Sequence, residues 1–537
     1  MKTIFLSLAV FLSLSPLAAF GQRGQLANAG KAGLRVSSLE EVLRLSEDQI
    51  DLATATLISS EYWSDFVQGR HYLERLDTLA MVVQTRLRQQ RLPVDHRAIP
   101  VINQYLFEEL GFKPISHAND PNDLFLHSVM DRRRGYCLSL SILYLAVGER
   151  LGLDLYGVVV PGHFFVRYEK GRMRFNIETT SGGASPADEH YIKRFGVPRN
   201  SPDSIYMKNL TKRQTIGCFF NNLGNVYSEI GDTDTALIAL ERAAAINPAL
   251  SESRANLGNI YLQKGRANDA VQQYQAALQL NPGDPKTHNN LGNAYMAINQ
   301  LNAAGSSYRQ AIQFDADFVD AHRNLALLFT RQEQYGQALS ELNRALDLDG
   351  RNVQVYIQFG ELYYRMGDYD KGLLQFRKAL GLRADSPEAY YGEGICYSKL
   401  GRVNEAIQAY AQALGLKPGM LAALVDLGTA YFDQGLYDLA IQYYKRALAA
   451  KPDDVRILFN LGSAYLKKDD FDQAVKVYLQ VVKLDPKLGD AYHGLAYGFY
   501  RLGKYDLAWN HINTAKKLGV KVPEDLFKAI QSRWKAG

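Results

Sequence analysis

The chain has 537 residues, with 61 Lys+Arg against 56 Asp+Glu, 22% charged and 47% hydrophobic residues. That is globular composition, neither a disordered tail nor a collagen, and a net charge of +5 carries none of the basic bias that nucleic-acid binding leaves. Three cysteines, Cys137, Cys218 and Cys396, exclude a disulfide scaffold and a four-cysteine zinc site; with no phosphate loop of the Gly-Lys-Ser/Thr type and no paired histidines at helix spacing, no metal or cofactor is expected.

The first element is an address. Lys2 precedes an apolar run from Ile4 to Leu14 broken only by serines, then Ser15-Pro16 and the small residues Ala19 and Gly21. This is the order of a secretory signal, and it predicts cleavage after Gly21, removing residues 1–21, and work in a bacterial periplasm or outside the cell. The run is short for a transmembrane helix, and no second stretch of about 18 apolar residues follows, so an integral membrane protein is not expected.

Residues 38 to 112 read as mostly helical, through Leu39, Val42, Leu43 and the periodic stretches around Tyr72–Leu87 and Ile99–Leu110, punctuated by Pro93, Pro100 and Pro114. After Asp131-Arg132-Arg133-Arg134-Gly135-Tyr136, the residues Cys137 to Val147 form a helix apolar on nearly all sides, hence buried. Cys137 falls in its first turn, where unpaired N–H groups and the helix dipole favour a thiolate. The three arginines read as a solvated turn beside it. Tyr156–Val160 is a short strand, followed by strands His163–Glu169 and Arg172–Thr179 joined at Lys170-Gly171. A two-residue turn there pairs positions summing to 341, which sets His163 opposite Glu178 on one face; a bulge at Gly171 would shift this by one residue. Asn176, on the same face, competes as the partner. A thiol nucleophile needs a base within reach, and the base needs an orienter.

The residues Asp131 to Leu140, Tyr156 to Arg167 and Ile177-Glu178-Thr179-Thr180-Ser181-Gly182-Gly183 resemble the transglutaminase-like fold, a relative of papain-like thiol enzymes, and more narrowly its SirB-type family. The resemblance implies an α+β domain over residues 35–205, with Cys137 as nucleophile, His163 as base and Glu178 as orienter. The family's usual Asp before the Gly-Gly pair is here a Glu, whose longer side chain changes the reach. Some members lack the cysteine.

The second half is one motif repeated. Small residues recur every 34 positions at Gly224, Gly258, Gly292, Ala326, Gly360, Gly394, Gly428, Gly462 and Ala496. An aromatic follows each by three, from Tyr227 to Phe499, and a further small residue follows by twelve, from Ala236 to Ala508. Pro248, Pro282, Pro418, Pro452 and Pro486 close units. Each unit predicts two amphipathic helices, with proline ending the second. The period and spacing closely resemble the tetratricopeptide repeat (TPR). The resemblance implies nine repeats over residues 217–522, an all-α superhelical solenoid, and a capping helix over residues 523–537. It also puts the residues three before and one after each small residue into a concave groove. These are Asn221, Asn225, Ala255, Asn259, Asn289 and Asn293 at one end, and Ile357, Tyr391, Ile395, Phe459, His493 and Tyr497 at the other. An asparagine amide offers both donor and acceptor to an extended peptide, or it bonds a neighbouring helix. The Lys and Arg of the family's peptide-carboxylate clamp are missing. Cys218 and Cys396 read as packing residues.

The fold expected is therefore mainly α. Two functions stay open: an exported cysteine-dependent enzyme of amide hydrolysis or acyl transfer with a repeat array that binds protein or peptide, and a non-catalytic repeat scaffold with a degenerate front domain.

Overall fold

In a computed structural model, which describes residues 36–63, 67–116, 120–197 and 205–536, the apolar run after Tyr136 forms the Cys137–Leu151 helix, buried from Cys137 through Gly148. The leader expected at residues 1–21 lies outside the described residues. The helices Leu52–Trp63 and Gly69–Gln89 pack against this central helix. Two short strands, β1 (Lys113–Pro114) and β2 (Arg134–Gly135), pair in parallel just before it. Three longer ones, β3 (Leu155–Val160), β4 (His163–Lys170) and β5 (Met173–Ile177), form an antiparallel sheet in that order. The side chains alternate as a two-faced sheet requires. Phe164, Val166 and Tyr168 join the core around the Cys137 helix, while Val158, Val160 and Phe165 meet Tyr191 on the opposite face.

The β4–β5 register corrects the sequence expectation. Lys170 pairs with Met173 and Val166 with Ile177, so paired positions sum to 343 and the turn is Gly171-Arg172. The tight hairpin turn needs a positive φ at its first central position, and Gly171 supplies it at +59°. A turn at Lys170-Gly171 would have forced that conformation on a lysine. The shift is by two residues, which preserves the face, so His163 and Glu178 stay on one side of the sheet although they are not cross-strand partners.

The repeats fold as helix pairs. In the compact unit that ends at Ala316 these are Lys212–Glu229 with Thr233–Ile246, Ser251–Gln263 with Ala267–Leu280, and Pro285–Ala297 with Leu301–Phe314. The unit that begins at Asp317 continues the pattern from Val319–Arg331 with Tyr335–Leu348 to Gly489–Arg501 with Tyr505–Lys517. It closes with Glu524–Ala536, whose Ile530 is buried and whose Trp534 stacks on Trp509 at 4.8 Å.

The recurring glycine has a specific cause. A Cβ at Gly292 would lie 2.4 Å from the Tyr308 ring, at Gly394 2.4 Å from Tyr410, and at Gly360 2.6 Å from Phe376. Each of these rings is a buried second-helix residue sixteen positions on, a correlation the spacing alone did not single out. Where the small residue is Ala326 or Ala496, the residue sixteen on is Leu342 or Ile512, with no ring to accommodate. Gly292→Ala should therefore lose about 1–3 kcal/mol to overpacking. Gly381→Ala, on a helix with open space around it, should gain about 0.5–1 kcal/mol from helix propensity. Urea unfolding midpoints of the two variants, moving in opposite directions, check the argument.

Candidate active site

Cys137 is the first residue of its helix, so its N–H and those of the next residues have no intrahelical acceptor. The approach to it is tightly built. The Tyr136 N–H donates to Ser139 Oγ at 2.8 Å, and Ser139 Oγ donates to the Asp123 carbonyl at 2.9 Å. Gly135 admits no side chain, since a Cβ would fall 2.8 Å from Ser139 Oγ and 3.0 Å from Val129. Cys137 itself is buried.

His163 opens β4, and Glu178 follows β5, where its N–H donates to the Ala184 carbonyl at 2.7 Å. His163 Nε2 donates to Glu178 Oε2 at 2.8 Å. The glutamate is saturated: Oε2 also accepts from the Tyr191 hydroxyl at 3.0 Å, and Oε1 from the Thr180 N–H at 3.0 Å and the Thr180 hydroxyl. Burial raises the Glu178 pKa, but the bonds from His163 and Thr180 outweigh it and hold the carboxyl below its usual range. Burial likewise lowers that of His163, yet hydrogen bonding to Cys137 and Glu178 wins and pushes the imidazole up to about 9. With Nε2 on Glu178, Nδ1 is the nitrogen left for Cys137. The three expected residues are thus brought together, and the chemistry open to them is proton transfer between a thiol and an oriented imidazole beside a row of helix-start N–H groups.

Asn176, the competing partner, is engaged elsewhere. Its Oδ1 accepts from Arg167 Nε at 2.9 Å, and its Nδ2 donates to Asp188 Oδ1 at 2.8 Å and to the Pro186 carbonyl at 3.0 Å. Arg167 is 1% exposed and also donates to Asp188 Oδ1 at 2.8 Å and to the Met207 carbonyl at 2.7 Å. This network ties down the start of the Asp188–Phe195 helix, which delivers Tyr191 to Glu178 and lays the Phe195 ring parallel to His163 at 4.7 Å. Sequence reasoning missed Tyr191, Phe195 and Asp188. Their i, i+4 aromatic spacing behind an acidic first turn marks an amphipathic helix, but nothing local says where it docks.

The Arg132–Arg134 turn is exposed, as expected, and its arginines also meet partners. Arg132 bonds Asp120 at 2.8 Å and Asp123 at 3.1 Å, Arg133 donates to the Leu110 carbonyl at 3.2 Å, and Arg134 sits 3.5 Å from Asp123. Cys218 and Cys396 are buried in repeat helices; burial pushes the Cys218 thiol far up and the Cys396 thiol up to about 12.

The groove residues fall into distinct situations. Asn259 Oδ1 accepts from the Tyr274 hydroxyl at 2.7 Å and Asn293 Oδ1 from the Tyr308 hydroxyl at 2.8 Å, so these amides do bond their neighbouring helices. Asn221 is buried and accepts from Asn256 at 3.0 Å; Asn289 is buried beside Asn290; Asn225 is half-buried. In the second unit, the Tyr391 hydroxyl donates to Asp426 at 2.8 Å across to the next repeat. Phe459 packs edge-on against Tyr478 at 5.6 Å, and the Tyr497 hydroxyl accepts from Arg501 at 2.8 Å. The position directly after the first groove position, Asn222, Asn256 and Asn290, was not singled out from the sequence and adds to the amide surface.

Among the described residues, no group of three His, Cys, Asp or Glu side chains could hold a metal ion, and no helix is long and apolar enough to cross a membrane.

Residues 70–217 match the model of the transglutaminase-like superfamily. Tetratricopeptide repeat models match residues 219–250, 258–299, 292–333, 357–420, 425–488 and 459–516. A UPF0162 protein of Xylella fastidiosa is 28% identical over 216 residues, 38% of this chain and 73% of that protein. F-box only protein 21 of Mus musculus is 34% identical over 94 residues, 17% of this chain and 14% of that protein. Among solved structures, the Cut9–Hcn1 hetero-tetramer of the APC/C is similar at 16% identity and a TM-score of 0.41, covering 53% of this chain and 63% of that one. A tetratricopeptide repeat protein of Parabacteroides merdae is similar at 18% identity and a TM-score of 0.41, covering 46% and 98%.

Proposed function

On a chain whose transglutaminase-like domain is followed by tetratricopeptide repeats, and whose repeat array serves protein interaction, we propose that Cys137, His163 and Glu178 form a thiol acyl-transfer site acting on amides. The observation that supports this reading is His163 held between Glu178, at 2.8 Å from Nε2, and Cys137. The His163 imidazole, which holds its proton up to about pH 9, pairs with the Cys137 sulfur as that sulfur attacks the amide carbonyl. The first-turn N–H groups face the oxyanion that forms. Collapse breaks the C–N bond, His163 gives its proton to the leaving amine, and a thioester remains on Cys137. Water or a second amine then attacks it, giving an acid or a new amide and restoring the thiol. Glu178, kept ionised by its donors, orients the imidazole and balances its charge. The chain works after export, with residues 1–21 removed; a mature N-terminus at Gln22, read by mass spectrometry of the natural protein, tests that part.

The test of the site is selective alkylation. With limiting iodoacetamide at pH 7, Cys137 should be modified well ahead of Cys218 and Cys396, both raised by burial. If Cys137 is modified no faster than those two, the thiol reading is wrong and the repeat scaffold is the function.

A further inference from the structure

We propose that Asn103 is a positioning residue of the thiol site: it fastens the Gly182-Gly183 turn to the Cys137 helix, and through that turn it sets the Glu178 carboxylate against His163. The inference rests on the thiol-site reading above and adds a residue that acts on it through the backbone.

Cys137, Ser141 and Tyr144 stand at i, i+4 and i+7 on the Cys137–Leu151 helix, so they share one face. Ser141 and Tyr144 are fully buried. Ser141 Oγ shares a hydrogen bond with Thr179 Oγ1 at 2.9 Å, and Thr179 directly follows Glu178. One turn along, the Tyr144 hydroxyl donates to Asn103 Oδ1 at 2.9 Å, and Asn103 Nδ2 donates to the Gly183 carbonyl at 3.0 Å. With its oxygen on the Tyr144 hydroxyl, the amide has only its NH2 to turn toward that carbonyl, so its orientation is fixed. The helix that carries the thiol therefore grips both ends of the turn behind Glu178.

The turn passes that grip to the carboxylate. The Gly183 N–H donates to the Glu178 carbonyl at 2.9 Å, the Ser181 N–H to the same carbonyl at 3.1 Å, and the Glu178 N–H to the Ala184 carbonyl at 2.7 Å. A displaced Gly183 would move the Glu178 backbone on both sides of its Cα. Gly182 has φ +63° and open space around it, so the backbone alone requires that glycine. Gly183 has φ +83°, and a Cβ there would lie 2.2 Å from Asn103 Cγ. The second glycine of the pair is thus required by the approach of Asn103 as well.

Asn103 ends the Ala98–Asn103 helix, where the chain widens into a π-helical turn over Gln104–Glu109. Such turns are rare and recur at functional sites. This one brings two side chains to the same tyrosine: Asn103 meets the Tyr144 hydroxyl, and the Phe107 ring stacks on the Tyr144 ring at 6.2 Å. A buried chain of neutral polar groups adds little stability over apolar side chains of the same shape; what it specifies is geometry.

The test uses the full chain carrying Asn103→Leu with Tyr144→Phe, which puts apolar groups of similar shape in place of both partners and so spares the fold. The urea midpoint, the iodoacetamide rate of Cys137 at pH 7 and the His163 pKa are read on the same samples. The pKa comes from NMR titration, with the resonance assigned by its loss in His163→Ala. It should fall by at least about half a unit, as part of a charge-assisted hydrogen bond is lost, and the alkylation rate should fall with it. In a Glu178→Gln chain the same pair of substitutions should move the pKa by no more than about 0.2 unit, because a residue that acts through Glu178 then has nothing to act on. Tyr144→Phe alone, the milder change, frees the amide to turn and should shift the pKa in the same direction by less. A His163 pKa unchanged in both variants, whatever the urea midpoint, makes the tie structural and overturns the proposal; so does a shift of equal size with and without Glu178. The His163 pKa reports the Glu178 contact whether or not Cys137 reacts. Alkylation of Cys137 against Cys218 and Cys396 in the unsubstituted chain reads the thiol site alone, so the two ideas fail separately.

Discussion

Replacing His163 with Ala should slow iodoacetamide modification of Cys137 at pH 7 by about 10²-fold or more, within the range that a positioned acid–base group contributes. The imidazole holds its proton up to about pH 9 because Cys137 and Glu178 both bond it, against a burial that works the other way. Removing the ring removes the charged partner of the Cys137 sulfur and leaves Glu178 facing no cation. Glu178→Gln should give a smaller loss, since the ring keeps its place against Phe195, and should lower the His163 pKa by withdrawing one of the two bonds that raise it. NMR titration of the imidazole reads that shift directly. The linkage to stability has a definite sign. A folded pKa of about 9 lies above the ordinary value near 6.5, so the stability His163 contributes is fully present below about pH 6.5 and is lost as pH rises through about 9. An alkylation rate unchanged in His163→Ala would mean that the imidazole takes no part in activating the thiol.

The largest stability effect should come from Arg167→Met, at about 3–5 kcal/mol, the usual consequence of removing one partner from a buried charge network. The guanidinium joins β4 to Asn176 of β5, to Asp188 at the start of the next helix and to the Met207 carbonyl. Its loss leaves Asn176 Oδ1 and the Met207 carbonyl without that donor, while Asp188 retains Arg174 at 3.0 Å. Arg167→Lys should recover little, because one ammonium cannot meet three acceptors in a planar fork. Since the Asp188–Phe195 helix carries Tyr191 and Phe195 to the site, the Met variant should also slow Cys137 alkylation well below its unfolding midpoint. Urea unfolding and alkylation on the same samples measure both. A stable Arg167→Met with full Cys137 reactivity would show the network to be dispensable.

How much of this was legible depends on the distance over which each feature is determined. The helix pairs follow from a 34-residue pattern of small and aromatic residues, because each pair is a local unit and its neighbour repeats the same contact. The Cys137 helix was equally plain, being apolar all round. The hairpin was placed correctly, but its register depended on which residue could adopt a positive φ, and Gly171 at the first central position moved every pair by two. That His163 and Glu178 share a face survived the move only because the shift was even.

Residue types, chain order and periodicity alone therefore determined the mainly helical build, the repeat array, and the candidates Cys137, His163 and Glu178, since these rest on local pattern. Tertiary structure alone decided which acceptors each amide meets, that Tyr191 and Phe195 hold the His163–Glu178 pair, and that the repeat glycines from Gly258 to Gly462 admit a ring sixteen residues on, while Gly224 admits Leu240. Those outcomes depend on side chains brought together by packing, and no spacing along a chain records which of several apolar faces a helix will bury.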